Sequence, residues 1–212
     1  MKRLFLACAV ALVALGCGTR KTTKQTPRPR AAETGAPSPG TSALPPSDWT
    51  PPAFRGSVYD LTATLTGHDG KPTPLDVFRG HPVIITMFYG SCPNACPLLT
   101  SDIKRIDREL SPEARDRVRV LMVSFDAPRD TPAKLSQFMS DHGLDAARWK
   151  LASAPEDSAR ELAAVLGIRY RKLDNGEYFH SSSIILLDEL GKPIARVEGI
   201  RKDPAPILAA LH

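Results

Sequence analysis

Cysteine is scarce in this chain. It occurs four times in 212 residues, as Cys8, Cys17, Cys92 and Cys96. The first two lie in an N-terminal leader, so the downstream pair has no other partner to bridge to. A long apolar run is also missing: the stretch from Leu4 to Gly16 is too short to span a bilayer easily. Aromatic residues make up only 6%. No basic face interleaves them with Lys and Arg, which argues against nucleic-acid binding. There is no internal repeat, which excludes a solenoid. An excess of one charge is confined to the beginning of the chain. Lys2 and Arg3 contribute +2 and residues 18–54 contribute +3, which is the whole formal charge of +5. The remainder is balanced.

Lys2 and Arg3 followed by the apolar stretch have the form of a signal peptide. It ends Val13-Ala14-Leu15-Gly16-Cys17, which resembles the lipobox of bacterial lipoproteins, where the cysteine is lipidated and becomes the mature N-terminus. Ala14 stands where leucine is commonest. The competing expectation is an ordinary signal peptide cut near Gly16 or Gly18, or an uncleaved anchor. Cys8 reads as a small apolar residue of the leader. The lipoprotein reading puts the protein in a bacterial cell envelope, lipid-anchored, with its domain in the periplasm or extracytoplasmic space. The inner and outer membranes both stay open. Residues 18–54 are rich in Thr, Pro, Ser and Ala without apolar periodicity, and read as an extended, disordered tether. Residues 55–212 form one domain by length.

Within that domain, Val83 to Tyr89 reads as a buried parallel strand. Leu98, Leu99, Ile103, Ile106 and Leu110 recur at helical spacing. Cys92 and Cys96 therefore fall on a strand-to-helix loop. Cys96 sits near the helix start, where the dipole and free N–H groups favour a thiolate. Thiolates bind soft metal ions or attack disulfides. Thioredoxin-like proteins place their usual Cys-x-x-Cys pair in the same way. The residue added here leaves room for an ion between the sulfurs. A plain stabilising disulfide is the competing reading, but it would close a very short loop and constrain the unfolded chain little.

The remaining pattern predicts an N-terminal hairpin, from Tyr59–Leu65 and Thr73–Val77 around the turn at His68-Asp69-Gly70-Lys71. It predicts a second buried strand at Val118–Phe125. A helix follows from Thr131, with Thr131 as N-cap and Pro132 at its first position. Next come a short strand at Trp149–Ala152 and a helix at Pro155–Leu166 with Gly167 at its C-terminal end. Ile168–Arg171 and Tyr178–Phe179 are short extended pieces. Ser183–Asp188 and Ile194–Val197 form a hairpin, and a closing helix runs from Asp203 to Leu211. The expected class is α/β, a thioredoxin-like fold with an N-terminal β-hairpin and an inserted helix.

Of five histidines, His68, His81, His142 and His212 read as solvated or capping residues. His180 differs, because it precedes Ser181-Ser182-Ser183 and the strand Ile184–Leu187. In a thioredoxin-like fold the loop entering that strand lies beside the cysteine loop. Two thiolates and an imidazole form a set that suits copper, since thiolates select Cu(I) and imidazole accepts either oxidation state. Zinc also accepts such a set with a fourth ligand. A loop histidine without a ligand role is the alternative.

Three separated segments carry a resemblance to the SCO/SenC family of copper-binding thioredoxin-like proteins associated with cytochrome c oxidase assembly. Phe88-Tyr89-Gly90-Ser91-Cys92-Pro93-Asn94-Ala95-Cys96-Pro97 is similar to the family's aromatic-led Cys-Pro-x-x-Cys-Pro motif. Val123-Ser124-Phe125-Asp126-Ala127-Pro128-Arg129-Asp130-Thr131 is similar to its Ser-x-Asp-Pro-x-Arg-Asp-Thr run, with the proline shifted by one. His180-Ser181-Ser182, an apolar strand, Asp188 and Gly191 match its His-Ser/Thr segment. The resemblance implies one copper ion, Cu(I) or Cu(II), held by Cys92, Cys96 and His180. It also implies that Asp126 and Asp130 lie near the site and orient its ligands, the alternative being that they only cap the loop and the following helix.

Two functions follow from the resemblance. One is a metallochaperone that passes copper to a cuproenzyme subunit, such as a copper subunit of cytochrome c oxidase, or to another copper chaperone. The other is a thiol–disulfide oxidoreductase that keeps the cysteines of a copper-receiving protein reduced, with Cys92 and Cys96 as its redox-active pair. His180 favours metal, because dithiol exchange does not need it. No Trp precedes Cys92, unlike typical thioredoxins. The peroxiredoxin pattern Pro-x-x-x-Thr-x-x-Cys is missing, since Ile85 and Tyr89 occupy its first two fixed positions.

Overall fold

A computed structural model describes residues 56–92 and 95–211. Residues 1–55, on which the expected leader and tether, Cys8 and Cys17 fall, lie outside the described residues, as do Pro93, Asn94 and His212. The chain enters through a 3-10 turn at Val58–Asp60, where Ser57 and Asp60 form a capping box. The predicted strand over Tyr59–Leu65 is thus replaced by a turn at its start. Strand β1 is Thr64–Gly67 and pairs antiparallel with β2, Pro72–Pro74. The hairpin is present but short, because Pro72 and Pro74 have no N–H to extend the ladder.

Strand β3, Val83–Phe88, is buried at all six positions. Helix α1 follows at Ala95–Glu109 and turns Cys96, Leu99, Ile103 and Ile106 inward. It begins three residues before the predicted Leu98. A second helix, α2 at Pro112–Arg117, was not anticipated. Ser111 caps it and Ala114 is its one buried residue, so it carries no apolar period. Strand β4 is Arg119–Ser124. Helix α3 runs Pro132–Asp141, with Thr131 Oγ1 accepting from the Lys134 N–H. Strand β5 is Trp149–Ser153 and helix α4 is Glu156–Val165, ending before Gly167 in the left-handed region at φ 61°. The two extended pieces become an antiparallel ribbon, β6 at Tyr170–Lys172 and β7 at Tyr178–His180. Strands β8, Ser183–Leu187, and β9, Pro193–Glu198, form the late hairpin. The closing helix α5 is shorter than expected, Ala205–Ala209.

The main sheet has seven strands in the order β2-β1-β5-β4-β3-β8-β9. β3, β4 and β5 are parallel, and β8 runs antiparallel to β3. The segment β4-β3-β8-β9 with α1 on β3 is the thioredoxin-like unit. The excursion between β4 and β8 holds α3, β5, α4 and the ribbon, so the inserted helix comes with an extra strand. Parallel β3 is flanked on both sides and reads as a continuous apolar run for that reason. This topology sets the carboxyl end of β3 beside the start of β8, which brings the cysteine loop and His180 together. Among the described residues, no helix is long and apolar enough to cross a membrane.

Candidate metal centre

The cysteine loop leaves β3 after Phe88. Cys92 is 8% exposed and Cys96 is fully buried. Because α1 starts at Ala95, Cys96 falls in its first turn. The Cys96 N–H, which has no partner within the helix at that position, donates to Cys92 Sγ at 3.4 Å. The pair is in the dithiol form.

His180 ends β7 and its ring lies over the same loop. The Nδ1 atom is 3.2 Å from the Ser181 carbonyl oxygen. A carbonyl only accepts, so the neutral ring carries its proton on Nδ1 and presents the Nε2 lone pair. Nε2 lies 3.9 Å from Cys96 Sγ. Two rings fix its plane: Tyr89 meets it edge-on at 5.8 Å between centroids, and Phe125 packs at 5.4 Å. The ligand atoms of Cys92, Cys96 and His180 all lie within 4.8 Å of one another, the one such His/Cys/carboxylate cluster among the described residues. Three atoms arranged around one ion at ~2.3 Å are ~4.0 Å apart. The three groups therefore close on an ion with shifts of at most about half an ångström each.

The expectation that Cys96 favours a thiolate needs correction for the metal-free chain. The hydrogen bond with the Cys92 sulfur is the larger cause, and burial the next; together they push the Cys96 thiol well above the usual range. A backbone hydrogen bond with Tyr89 acts against both and does not prevail. A cation between the sulfurs reverses this balance, because a coordinating thiol gives up its proton.

Asp126 and Asp130 are both buried, at 1% and 2% exposure, and neither belongs to the three-residue cluster. Asp130 accepts from the Gly90 N–H at 2.7 Å and from the Ser124 hydroxyl. It thereby ties the cysteine loop to the end of β4, and burial raises its carboxyl above the usual range. Asp126 pairs with Arg129 and accepts from the Tyr178 hydroxyl at 3.4 Å. It thus reaches the ribbon two residues before His180. Neither carboxylate caps α3, where Thr131 does so.

Two contributors were not anticipated from the sequence. The Tyr89 hydroxyl donates to Glu177 Oε2 at 2.8 Å, and Arg129 approaches Glu177 Oε1 at 3.6 Å. These contacts latch the ribbon to the end of β3. Their signal in sequence was slight: a tyrosine three residues before Cys92 and an acidic residue three before His180. The remaining described histidines take structural roles. Nδ1 of His68, His81 and His142 lies against the carbonyls of Leu151, Arg117 and Phe138.

This fold recurs in solved proteins. A SCO1/SenC family lipoprotein of Bacillus anthracis superposes with a TM-score of 0.65 at 23% identity, over 75% of this chain and 97% of that one. ScoI of Bradyrhizobium japonicum, solved with copper bound, superposes at 0.58 with 24% identity, over 70% of this chain and 94% of the other. In sequence, the SCO1 protein homolog of Bacillus subtilis is 26% identical over 144 residues, 66% of this chain and 74% of that protein. The SCO1/SenC family model matches residues 57–212, which takes in the whole sheet, the cysteine loop and His180. With that span matched, the chain belongs to the SCO1/SenC family.

Proposed function

We propose that this protein is an exported copper chaperone. Cys92, Cys96 and His180 hold one copper ion. The protein passes it by ligand exchange to a cuproenzyme subunit, such as a copper subunit of cytochrome c oxidase, or to another copper chaperone. The observation that carries the reading is the imidazole: its unprotonated nitrogen faces two adjacent sulfurs in a partly open site. Thiolates give Cu(I) soft ligands and the imidazole suits either oxidation state. The copper in the Bradyrhizobium relative supports copper over zinc. Partial exposure of His180, against full burial of Cys96, leaves the histidine side as the path by which a receiving ligand enters. The tether and a lipid on Cys17 would hold the domain at the membrane, a reading supported by the lipoprotein relative.

The second reading is a thiol–disulfide oxidoreductase acting on the cysteines of a copper-receiving protein. Its support is the dithiol at the start of α1, with Cys96 in the first turn and its N–H on the sulfur of Cys92 in the preceding loop. The variant His180→Ala separates the two. The partly exposed ring reaches a neighbouring carbonyl and the Cys96 sulfur and holds no other element by hydrogen bonding, so the fold is expected to survive, which matching thermal unfolding of the metal-free proteins checks. The variant should bind copper more weakly and fail to restore oxidase copper loading in cells lacking the native protein, while its dithiol still reduces a disulfide substrate. Full restoration by a folded variant would leave the reductase reading in place of the chaperone.

A further inference from the structure

The candidate metal centre shares a wall with a groove of about 610 Å³. Phe125, Tyr170 and Tyr178 supply its aromatic side. Phe125 stacks on Tyr170 at 4.7 Å between centroids, and the same Phe125 ring lies 5.4 Å from His180. An occupant of the groove therefore touches Phe125, one of the two rings that position the imidazole. The polar side is one-signed. Arg160, Arg169, Arg171 and Lys172 line it against Glu156 alone, and Glu156 pairs with Arg160. Arg171 and Lys172 are exposed, and neither has an ion-pair partner among the described residues.

The shape of the groove adds a second observation. Successive side chains of a strand point to opposite faces, yet Tyr170, Arg171 and Lys172 all line this groove. The groove therefore follows the outer edge of β6. That strand pairs with β7 and no other. The N–H and C=O groups along its outer edge are a template for an added strand.

We infer that this groove docks an extended, acidic segment of a partner protein, laid along the outer edge of β6. Its carboxylates meet Arg171 and Lys172, and its apolar side chains rest on Tyr170 and Tyr178. A small anion would use one or two of the cations and none of the aromatic surface. The purpose of the site rests on the proposed copper exchange: a partner held there keeps its own metal ligands at high local concentration beside His180. The docking itself does not depend on that reading.

The test uses the metal-free full chain and a short synthetic peptide alternating Glu and Val, with a Lys-Val peptide as control. The Glu peptide is expected to shift the backbone amide resonances of residues 170–172 and 178, and to bind less tightly as salt rises. The Lys peptide is expected not to bind. The double variant Arg171→Glu, Lys172→Glu should lose at least ~tenfold in peptide affinity, about 1.4 kcal/mol, while binding copper as the native chain does. Peptide binding by a chain that takes up no copper would sink the chaperone reading and leave the docking site standing. The proposal is overturned by amide shifts that avoid β6, by undiminished peptide affinity in the folded double variant, or by equal saturation of the same residues with inorganic phosphate or phosphatidylglycerol vesicles. The shift map of the native chain decides the site even where the variant fails to fold.

Discussion

One hydrogen bond, from His180 Nδ1 to the Ser181 carbonyl, decides which nitrogen faces the sulfurs. Metal-binding histidines commonly depend on such a partner for ring orientation and tautomer. Gly90 is a second single-residue constraint, and its reason is space. A Cβ at this position would stand 2.7 Å from Asp130 Oδ1, and Asp130 cannot easily yield, because it is buried and holds both the Gly90 N–H and the Ser124 hydroxyl. Gly90→Ala is expected to cost about 1–3 kcal/mol through overpacking and to weaken copper binding by moving the cysteine loop. Urea unfolding and a copper titration on the same preparation check both effects. Unchanged stability would mean that the loop tolerates the displacement.

The ribbon of β6 and β7 delivers His180, the proposed third ligand, and Glu177 latches it through Tyr89 and Arg129. Glu177 is partly exposed, so Glu177→Ala should leave the unfolding midpoint nearly unchanged and speed the loss of copper to a chelator severalfold. A release rate equal to that of the native chain would assign the latch no role in holding His180. The early hairpin has its own tie, where Lys150 on β5 donates to Asp69 Oδ2 at 2.8 Å. That hydrogen bond, the largest cause, pulls the Asp69 carboxyl down to about 2. A folded value below the unfolded one stabilises the protein above about pH 4, and the contribution fades as pH falls toward about 2. The stability gap between the native chain and Asp69→Asn should therefore close over that interval in urea titrations; a gap constant down to pH 2 would discount the pair. Elements governed by local chemistry were legible in the sequence: Thr131-Pro132 opens α3, and the apolar period of α1 placed the cysteines on a strand-to-helix loop. His180 could be found because the strand after it is so apolar. Helix α2 was hidden because only Ala114 is buried. Glu177 was hidden because its partner Tyr89 is 88 residues away. The Cys96 thiol was misjudged because the dipole argument is local, whereas burial and the neighbouring sulfur come from tertiary packing.

At the scale of the whole molecule, the excess positive charge lies in residues 1–54 rather than in the matched domain. The proposed anchor makes a simple prediction. Cys17→Ser should release the protein from the membrane fraction or leave it unprocessed, with the domain folded and copper-competent. Membrane retention with normal signal cleavage would replace the lipoprotein by another form of attachment. Under the proposed anchoring, copies of the chain would crowd in two dimensions, where open sheet edges would invite them to pair. The main sheet meets that hazard at its ends. Outermost β2 is Pro72-Thr73-Pro74, so two of its three residues have no N–H to offer a neighbour, and β9 at the far side opens with Pro193 and carries Arg196 and Glu198. Strand β6 in the ribbon has no proline. Self-association is thus obstructed at both borders of the large sheet, while the strand beside the candidate metal centre keeps the capacity to recruit a foreign chain.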